Sequence, residues 1–503
     1  MSILQSSEDS HISLKWAVAV LALFIYPFLG VIRNLYFHPL SSVPGPKLWS
    51  SSRLPFVRAL LRGSLIQDVE KLHRKYGPIV RIAPDEVTFA HPEAWTDILR
   101  ADRPMFLKDP VWWAAQPDLH EALMTAIQPE SHARIRKILA PAFTTRALKA
   151  QETILQRYVN LLIERLRDHA DRKAMIDIAP WFNFTTFDIF GDLGYGESFK
   201  CLEDSRYHPW ISMIFNSEKG ACFIYAARFY PLIEWILMKC IPPSVKKVQH
   251  DHRQFIVDKV QRRLNFELER PDIMSYVIKE NKDRTLPLET INSTFLELTT
   301  AGSDTVATVL GGTLNYLVRN PDKLGVLEQE VRRLEEGDLN LNTLQDLAYL
   351  NAVLKEGLRL CPPVPWILPR RVPHGGAFIC GTWLPAGTAV SIQAYSMNRN
   401  PEYFYKASLF LPERWLPEAM TDPLSPFSHD RREAVQPFSV GPWSCLGQNL
   451  AWAEMRLILA KLLWTFDFEA GNPLDWENLK TFLLVEKKPI EVKMRVRKGL
   501  SSQ

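Results

Sequence analysis

The sequence predicts a mainly α-helical protein with small β-sheets, preceded by one N-terminal transmembrane helix. Between about residue 92 and residue 360 the apolar residues recur mainly with helical period. Short runs of alternating apolar and polar residues flank this region and are typical of strands. A long apolar run, Leu14–Ile32, precedes all of it. At 503 residues with 47% hydrophobic content the chain can bury a large core, as one large unit or as several domains.

Charge and cysteine content exclude two classes of protein. The formal net charge of +4 is small for this length and gives no reason to expect a nucleic-acid partner. The six cysteines are scattered and form no C-x-x-C pair or zinc spacing, which indicates a reducing compartment rather than a disulfide framework. They are Cys201, Cys222, Cys240, Cys361, Cys380 and Cys445.

The run from residue 14 to residue 32 is interrupted only by Lys15 at its edge. As a helix it would span roughly 28 Å, about the thickness of one hydrocarbon core. A cleaved signal peptide fits less well because no small-x-small site follows, and a buried core helix is unusual at a chain terminus. Acidic residues precede the run and basic residues follow it. We therefore expect residues 1–13 in the lumen and the bulk of the chain in the cytosol.

A proline-rich segment, residues 33–48, follows the anchor and contains His38-Pro39-Leu40 and Pro44-Gly45-Pro46. Proline fixes φ and lacks a donor, so this segment is predicted to be a stiff hinge before a globular domain at residues 49–503. The runs Ile79–Ile82 and Glu86–Phe89 are separated by Pro84-Asp85 and predict a small β-hairpin.

Within the helical region, His132 and Arg136 lie four residues apart and therefore share one helix face. Residues 207–269 alternate helical runs with prolines. A longer run, about 288–319, contains Ala301-Gly302-Ser303-Asp304-Thr305. The Thr305 hydroxyl can bond back to the carbonyl of residue 301, and small residues leave room beside the backbone. This pattern fits either a water-filled kink or a notch that binds oxygen beside a proton relay.

Glu356 and Arg359 are three residues apart on a helix and can pair, an arrangement that is also common on surfaces. Arg414 follows within Phe410–Trp415. Between them, Arg370 comes after an apolar run at residues 364–368. Strand-like alternation recurs at Ala377–Ile379 and Ala389–Ile392.

The last motif is a glycine-punctuated loop, Phe438-Ser439-Val440-Gly441-Pro442-Trp443-Ser444-Cys445-Leu446-Gly447, followed by an amphipathic helical run. Free backbone N–H groups and the helix dipole favour a thiolate at such a position. A lone cysteine before a helix is more often a small buried apolar residue. A haem iron is the metal that best suits a single thiolate, because the porphyrin supplies the other four ligands.

The spacing Phe-x-x-Gly-x-x-x-Cys-x-Gly resembles the haem-binding loop of the cytochrome P-450 superfamily. The hinge, the His-Arg helix, Ala-Gly-x-Asp-Thr, Glu-x-x-Arg and the later Arg occur in that family's order, so the resemblance covers nearly the whole chain. It implies a haem b cofactor with Cys445 as axial iron ligand and a monooxygenase reaction. The remaining roles that it implies are haem contact by Phe438, Trp443, Gly447 and Ala301, propionate binding by His132, Arg136 and Arg370, proton delivery by Asp304 and Thr305, and a structural triad of Glu356, Arg359 and Arg414. At Trp443 the chain departs from the family, which usually has an arginine that helps to hold a haem propionate.

The resemblance is greatest to fungal microsomal members. It implies insertion of one oxygen atom from O₂ into a lipophilic small molecule, contacted by residues 364–368 and 483–485, in secondary metabolite biosynthesis. No dinucleotide motif is present, so electrons are expected from an NADPH-dependent cytochrome reductase, with cytochrome b5 as a further donor. The implied location is the endoplasmic reticulum membrane. A desaturase, isomerase or dehydratase on the same fold, and a non-catalytic membrane haem protein, are the alternatives.

Overall fold

The structure, a computed structural model, describes residues 25–100, 105–115, 119–170, 174–266 and 270–499. The predicted lumenal segment and most of the predicted transmembrane segment lie outside these ranges. Residues 25–32 are helical and continue into a π-helical turn, Arg33–Phe37. In the described part of the chain, every helix is too short or too polar to cross a membrane.

Helices make up most of the described chain and confirm the predicted mainly α-helical architecture. They are α1 (Lys47–Ser51), α2 (Leu54–Arg62), α3 (Leu65–Tyr76), α4 (Ala94–Leu99), α5 (Pro110–Trp113), α6 (Pro129–Leu139), α7 (Thr145–Ala170), α8 (Ala179–Tyr195), α9 (Cys201–Asp204), α10 (Pro209–Arg228), α11 (Pro231–Cys240), α12 (Pro243–Leu264), α13 (Ile273–Glu280), α14 (Leu288–Leu317), α15 (Pro321–Val331), α16 (Leu341–Gln345), α17 (Ala348–Leu360), α18 (Ala394–Asn398), α19 (Pro417–Thr421) and α20 (Gln448–Thr465).

In the ranges that the structure describes, the strands are short and form four small sheets. They are β1 (Ile79–Ala83), β2 (Glu86–Phe89), β3 (Leu107–Lys108), β4 (Met175–Asp177), β5 (Ile367–Arg371), β6 (Ala377–Ile379), β7 (Thr382–Leu384), β8 (Ala389–Ile392), β9 (Phe466–Ala470), β10 (Thr481–Phe482), β11 (Leu484–Val485) and β12 (Glu491–Val496). The largest sheet has the order β1-β2-β8-β5-β3, and a second has the order β4-β12-β9. The hairpins β6-β7 and β10-β11 complete the set.

The predicted hairpin is confirmed, since β1 and β2 are antiparallel with Ile79 opposite Phe89. Strand β2 then runs parallel to β8, and β8 runs antiparallel to β5. This order places β5 beside the edge strand β3, although the two are far apart in sequence. The sheet therefore brings residues near 108 next to residues near 370.

The long helix α14 passes through the main hydrophobic core, as its predicted length requires. It packs most extensively against α8, and also against α17 and α20. A separate cluster of buried apolar residues surrounds the largest sheet. The prolines of the 207–269 region begin helices, because Pro209, Pro231 and Pro243 each stand near the first helical position, where no amide donor is needed.

The proline-rich segment lies against the largest sheet. The buried Arg81 guanidinium on β1 donates to the carbonyl oxygens of Asn34 and Leu40 at 2.9 and 3.3 Å. Its backbone N–H donates to the Pro44 carbonyl at 2.7 Å, and Leu40 is only 1% exposed. Residues 34–44 are therefore fixed to the globular part of the chain.

Candidate functional site

The cysteine loop is closed by its own backbone. The Cys445 N–H donates to the Phe438 carbonyl at 2.8 Å, and a 3₁₀ turn, Gly441–Trp443, lies between them. Gly441 has φ of +74°, and a β-carbon there would lie 2.0 Å from the Leu99 carbonyl oxygen. Glycine is required at this position, both by the left-handed backbone and by the close approach of α4.

The loop presents the Cys445 side chain just before α20. Its side chain is exposed, whereas Cys201, Cys222 and Cys361 are buried. Surrounding protein raises the pKa of the Cys445 thiol, and the Gly447 backbone N–H and the Arg136 guanidinium act in the opposite direction. By contrast, burial and the carboxylates of Asp97 and Glu93 raise the pKa of Cys380 to about 12. Cys445 thus has a donor and a cation available for a thiolate, and Cys380 has acidic neighbours.

Cys380 does belong to a separate group of possible metal ligands. His91, Glu93 and Cys380 each offer one ligand atom, and these three atoms lie within 4.8 Å of one another. This group is built on the β6-β7 turn and the start of α4, not on the loop before α20. It is distinct from the site around Cys445.

Helix α6 brings its basic residues to the cysteine loop. The Arg136 guanidinium donates to the Ser444 carbonyl at 2.7 Å and lies 3.4 Å from the Ser444 hydroxyl. His132, one turn earlier, is 6% exposed, and its ring centroid lies 4.1 Å from that of Trp443. The helical spacing therefore turns both predicted residues toward the same loop.

The edge of the largest sheet adds two more basic groups. Arg370 on β5 is 4% exposed, and Lys108, its cross-strand partner on β3, is 3% exposed. The Nε and Nη1 atoms of Arg370 are buried without a hydrogen-bond partner. The Lys108 ammonium donates to the Met124 carbonyl at 2.6 Å and lies 3.4 Å from that of Leu123.

Trp443 lies at the centre of these basic residues. The distance from its ring to Lys108 Nζ is 4.4 Å and to Arg370 Cζ is 5.0 Å. Trp113 on α5 contacts the same two cations, at 4.8 and 5.5 Å from its ring. The cations are therefore in contact with aromatic faces, whose quadrupoles attract positive charge without neutralising it.

Burial makes the charged form of each base costly. It lowers the pKa of Lys108 to about 7, with repulsion from Arg370 adding to the effect, and lowers the pKa of Arg370 to about 9. Burial, with Lys108, Arg136 and Arg370 nearby, lowers the pKa of His132 to about 3. Within the described ranges no ion pair joins these three bases to a carboxylate. Buried basic side chains without a carboxylate partner are suited to bind an anionic group with several oxygens, such as the two propionates of a haem.

Helix α14 divides the predicted notch between two faces. The Thr305 hydroxyl donates to the Ala301 carbonyl at 2.7 Å, as expected, and both residues are partly accessible. A β-carbon on Gly302 would lie 3.0 Å from the Phe190 ring of α8. Gly302, which lacks a side chain, was expected to leave room beside the backbone, and in the direction of a β-carbon that room is occupied by Phe190. Ala301, Gly302 and Thr305 are partly accessible, whereas Ser303 and Asp304 are buried.

Asp304 and Thr305 have separate partners. The Asp304 carboxylate is 2% exposed and pairs with Lys487 in the segment between β11 and β12. The Lys487 ammonium also donates to the Asn183 side-chain oxygen on α8 at 2.8 Å. Sequence reasoning did not identify Lys487, because its only sequence signal is a lysine pair close to the C-terminus.

The three residues of the predicted structural triad meet in a fully buried cluster. Both oxygens of the Glu356 carboxylate accept from Arg359, at 2.8 and 2.7 Å, and Oε1 also accepts from Arg414 at 3.1 Å. The Leu411 N–H and the Trp415 indole N–H complete the set at 2.9 and 2.8 Å. Asp430 pairs with the other side of Arg414. Such a cluster fixes α17 against the segment that leads to the cysteine loop.

Comparison with known proteins establishes the family. Residues 43–494 match the family described as cytochrome P450. The chain is 40% identical over 474 residues to cytochrome P450 monooxygenase astJ of Aspergillus oryzae, covering 93% of this chain and 94% of that protein. It is 39% identical to cytochrome P450 monooxygenase lcsI of Purpureocillium lilacinum, covering 97% of this chain and 95% of that protein. It is also 39% identical to averantin hydroxylase of Dothistroma septosporum, covering 97% and 93% of the two chains.

The chain therefore belongs to the cytochrome P450 family. It is a monooxygenase, an oxidoreductase whose cofactor is a haem with iron ligated by a cysteine thiolate. Members of this family act on small molecules with electrons from redox partners. The fold that carries this activity here is mainly α with small sheets, in agreement with the sequence-based prediction.

Proposed function

We propose that Cys445 is the thiolate ligand of the haem iron and that the chain inserts one oxygen atom from O₂ into a lipophilic small molecule. The observation that carries this assignment is that the loop of Cys445 lies against buried bases which, within the described residues, have no carboxylate partner. The thiolate ligand donates electron density that favours O–O cleavage when the haem is bound. His132, Arg136 and Arg370 would bind the propionates, and Phe438, Trp443 and Gly447 would contact the haem from the loop side.

Gly447 supports this arrangement in a second way. Its φ is −85°, an ordinary value, and no protein atom lies within 4 Å of a β-carbon built there. Neither the backbone nor a protein neighbour requires glycine at this position. A flat group lying against the loop would supply the missing reason, because it would need the space that a side chain takes up.

Thr305 and Ala301 would line the oxygen side of the site. The Thr305 hydroxyl can rotate away from the Ala301 carbonyl and then donate a proton or hold a water molecule. Asp304 would take part in proton delivery only when its carboxylate separates from Lys487. We therefore assign Thr305 to proton placement at the site and Asp304 to the supply of protons from the Lys487 side.

Apolar surroundings support a lipophilic substrate. Phe56, Trp112, Phe229 and Trp366 form a cluster with ring centroids 5.3 to 6.3 Å apart. The segments predicted to face the substrate contribute Trp366, Leu368 and Leu483 to this cluster or its edge. A cavity of about 670 Å³ opens beside it and is lined by Leu61, Arg62, Ser64, Lys219, Phe223, Lys480 and Phe482. We assign this cavity as the entrance for the substrate, since its volume suits a drug-sized molecule.

We place the protein on the endoplasmic reticulum membrane with its catalytic part in the cytosol. The predicted anchor at residues 14–32 and the basic residues after it support this location. Helix α11 adds a row of exposed apolar side chains, at Leu232, Ile233, Trp235, Ile236 and Leu237. Electrons would come from a membrane-bound NADPH-dependent cytochrome reductase, with cytochrome b5 as a further donor.

A role in fungal secondary metabolism, with oxygen insertion as the reaction, is supported by the relatives. All three come from fungi; two are named monooxygenases, and the third is named averantin hydroxylase. A hydroxylase at 39% identity over nearly the full length favours oxygen insertion over desaturation, isomerisation or dehydration.

Two measurements test the proposal. With a cytochrome reductase, the ferrous CO complex of the wild type should show the red-shifted Soret band of a thiolate ligand, and Cys445→Ser should lose it. Cys380→Ser is the matched control and should keep the band. An untargeted metabolite comparison of deletion and wild-type strains should then supply a substrate, whose product should carry one ¹⁸O atom from ¹⁸O₂. A thiolate band in Cys445→Ser, or a product without ¹⁸O, would overturn the ligand or the reaction respectively.

A further inference from the structure

We propose that Lys108 is a third cationic ligand of the haem propionates, beside Arg136 and Arg370. It replaces the cation that the chain lacks at position 443, where it has tryptophan. This inference rests on the proposed haem site at Cys445 and adds to it a residue outside the motifs of the cysteine loop, α6 and β5. It makes Lys108 a cofactor-positioning residue whose charge, and not its size, is required.

Sheet register places Lys108 where such a group is needed. Lys108 on β3 is the direct cross-strand partner of Arg370 on β5. Their side chains therefore start from neighbouring positions at the edge of the sheet. Both contact the Trp443 ring, with Lys108 Nζ slightly closer, at 4.4 Å against 5.0 Å for Arg370 Cζ. Lys108 therefore brings its charge to the position of residue 443 from a neighbouring strand.

Trp443 cannot supply this interaction itself. An indole has one neutral N–H donor, whereas a guanidinium has five donors and a permanent charge. The Trp443 ring instead lies between the Lys108 ammonium, the Arg370 guanidinium and the His132 ring. The face of an aromatic ring attracts cations. A tryptophan in place of the family's arginine is therefore compatible with a lysine side chain that lies against it from β3.

A purely structural lysine would have different surroundings. A buried ammonium is normally paired with a carboxylate, as Lys259 is paired with Glu197 at 2.9 Å. Lys108 is as deeply buried, at 3% against 5% exposed, but among the residues that the structure describes it bonds only to the carbonyls of Leu123 and Met124. The nearby Glu297 carboxylate accepts from the Met124 N–H at 2.7 Å and makes no ion pair with Lys108. One of the three ammonium hydrogens thus remains available for an anion.

The test is haem retention in the purified holoenzyme, measured as transfer to apomyoglobin. Lys108→Met should release haem about tenfold faster than the wild type or more, the loss of one charge-assisted hydrogen bond. Lys108→Arg should retain haem within about twofold of the wild type. Trp443→Arg should offset Lys108→Met in the double variant, because arginine at 443 restores a cation at the same place. Lys259→Met is the matched control, as a buried lysine in another cluster, and should leave the release rate unchanged.

A second measurement separates propionate binding from support of the 121–126 loop. In protein reconstituted with haem dimethyl ester, which lacks propionate charge, Lys108→Met and wild type should release the cofactor at equal rates. A tenfold difference with the ester would mean that Lys108 only supports the loop and would refute the inference. So would wild-type haem retention by Lys108→Met in protein with a normal thiolate spectrum. Absence of that spectrum from the wild type would instead refute the proposed ligand, so the two failures are distinguishable.

Discussion

A hydroxyl placed on an accessible helix face can give up its backbone hydrogen bond at small cost, and Thr305 is such a residue. Its bond to the Ala301 carbonyl, at 2.7 Å, holds the side chain in one orientation until a partner appears. Thr305→Ala removes the hydroxyl but keeps the β-carbon. We expect unchanged haem content, and a several-fold loss in the fraction of NADPH electrons that reach the product, with the remainder appearing as peroxide or water.

Thr305→Ser is the control for this variant, since it keeps the hydroxyl and removes only a methyl group. Product formed per NADPH consumed should be close to the wild-type ratio for Thr305→Ser. An alanine variant with the same ratio as the wild type would show that the Thr305 hydroxyl is not needed for proton placement.

Asp304 differs from its neighbour because its charge is already balanced inside the protein. Its carboxylate is 2% exposed, and Lys487 is its cationic partner. Lys487→Met would leave this carboxylate buried without a counter-charge, which costs about 3 kcal/mol in the free energy of unfolding. Lys487→Met/Asp304→Asn should recover most of that loss, since no unpaired charge remains.

Chemical denaturation of the four proteins in this cycle measures the coupling between the two side chains. The interaction term should be at least about 1 kcal/mol, the amount typical of side chains in direct contact. Additive effects of the two substitutions would show that the ion pair does not stabilise the protein.

At the scale of elements, the contact between α8 and α14 depends on one missing β-carbon. Gly302 lies against the Phe190 ring, and a β-carbon would come within 3.0 Å of it. Gly302→Ala gains helix propensity of about 1 kcal/mol but crowds this contact, which typically costs about 1–3 kcal/mol. We expect a net loss of stability, seen as a lower thermal midpoint.

Phe190→Leu provides the test of this explanation. The smaller side chain opens space opposite residue 302, so the double variant Gly302→Ala/Phe190→Leu should be more stable than the sum of the two single effects predicts. If Gly302→Ala destabilised the protein equally in both backgrounds, the Phe190 contact would not be the cause.

The elements that could be predicted from the sequence are those with a strong local signal. Helix α14 was expected at about residues 288–319 and is observed at Leu288–Leu317, because its thirty residues carry a sustained apolar pattern. The β1-β2 hairpin was predicted from alternation around Pro84-Asp85. Helix α20 follows its glycine loop as expected.

The residues that escaped prediction depend on contacts between distant parts of the chain. The position of Lys108 depends on the pairing of β3 with β5, which lies more than 250 residues later in the chain. The position of Lys487 depends on the packing of a C-terminal loop on α8 and α14. Neither contact leaves a periodic pattern in the sequence. The contact of Phe190 with Gly302 was missed for the same reason, since Phe190 comes from another helix.

At the scale of the whole molecule, the apolar run near the N-terminus of the sequence and the exposed apolar residues of α11 together favour the proposal of two separate contacts with a membrane. One is the predicted anchor at residues 14–32, and the other is α11, where Leu232, Trp235 and Ile236 are 71%, 57% and 46% exposed. Lys239 lies beside Trp235, with its ammonium 3.7 Å from the ring centroid. Aromatic and basic side chains together suit the boundary between acyl chains and headgroups.

Removal of residues 1–33 should therefore weaken membrane binding without abolishing it or reducing haem content. In this truncated protein, Leu232→Gln, Trp235→Gln and Ile236→Gln together should lower the partition onto vesicles about tenfold or more, because each buried apolar side chain contributes on the order of 1 kcal/mol or more. Flotation on vesicles that contain anionic lipid measures the effect. The matched control replaces three apolar residues that are exposed elsewhere, Phe378→Gln, Trp383→Gln and Leu424→Gln, at 65%, 51% and 92% exposed. An equal loss of binding in both triple variants would show that α11 has no special role. Full vesicle binding by the truncated protein with the three α11 substitutions would show that the membrane contact lies on another surface.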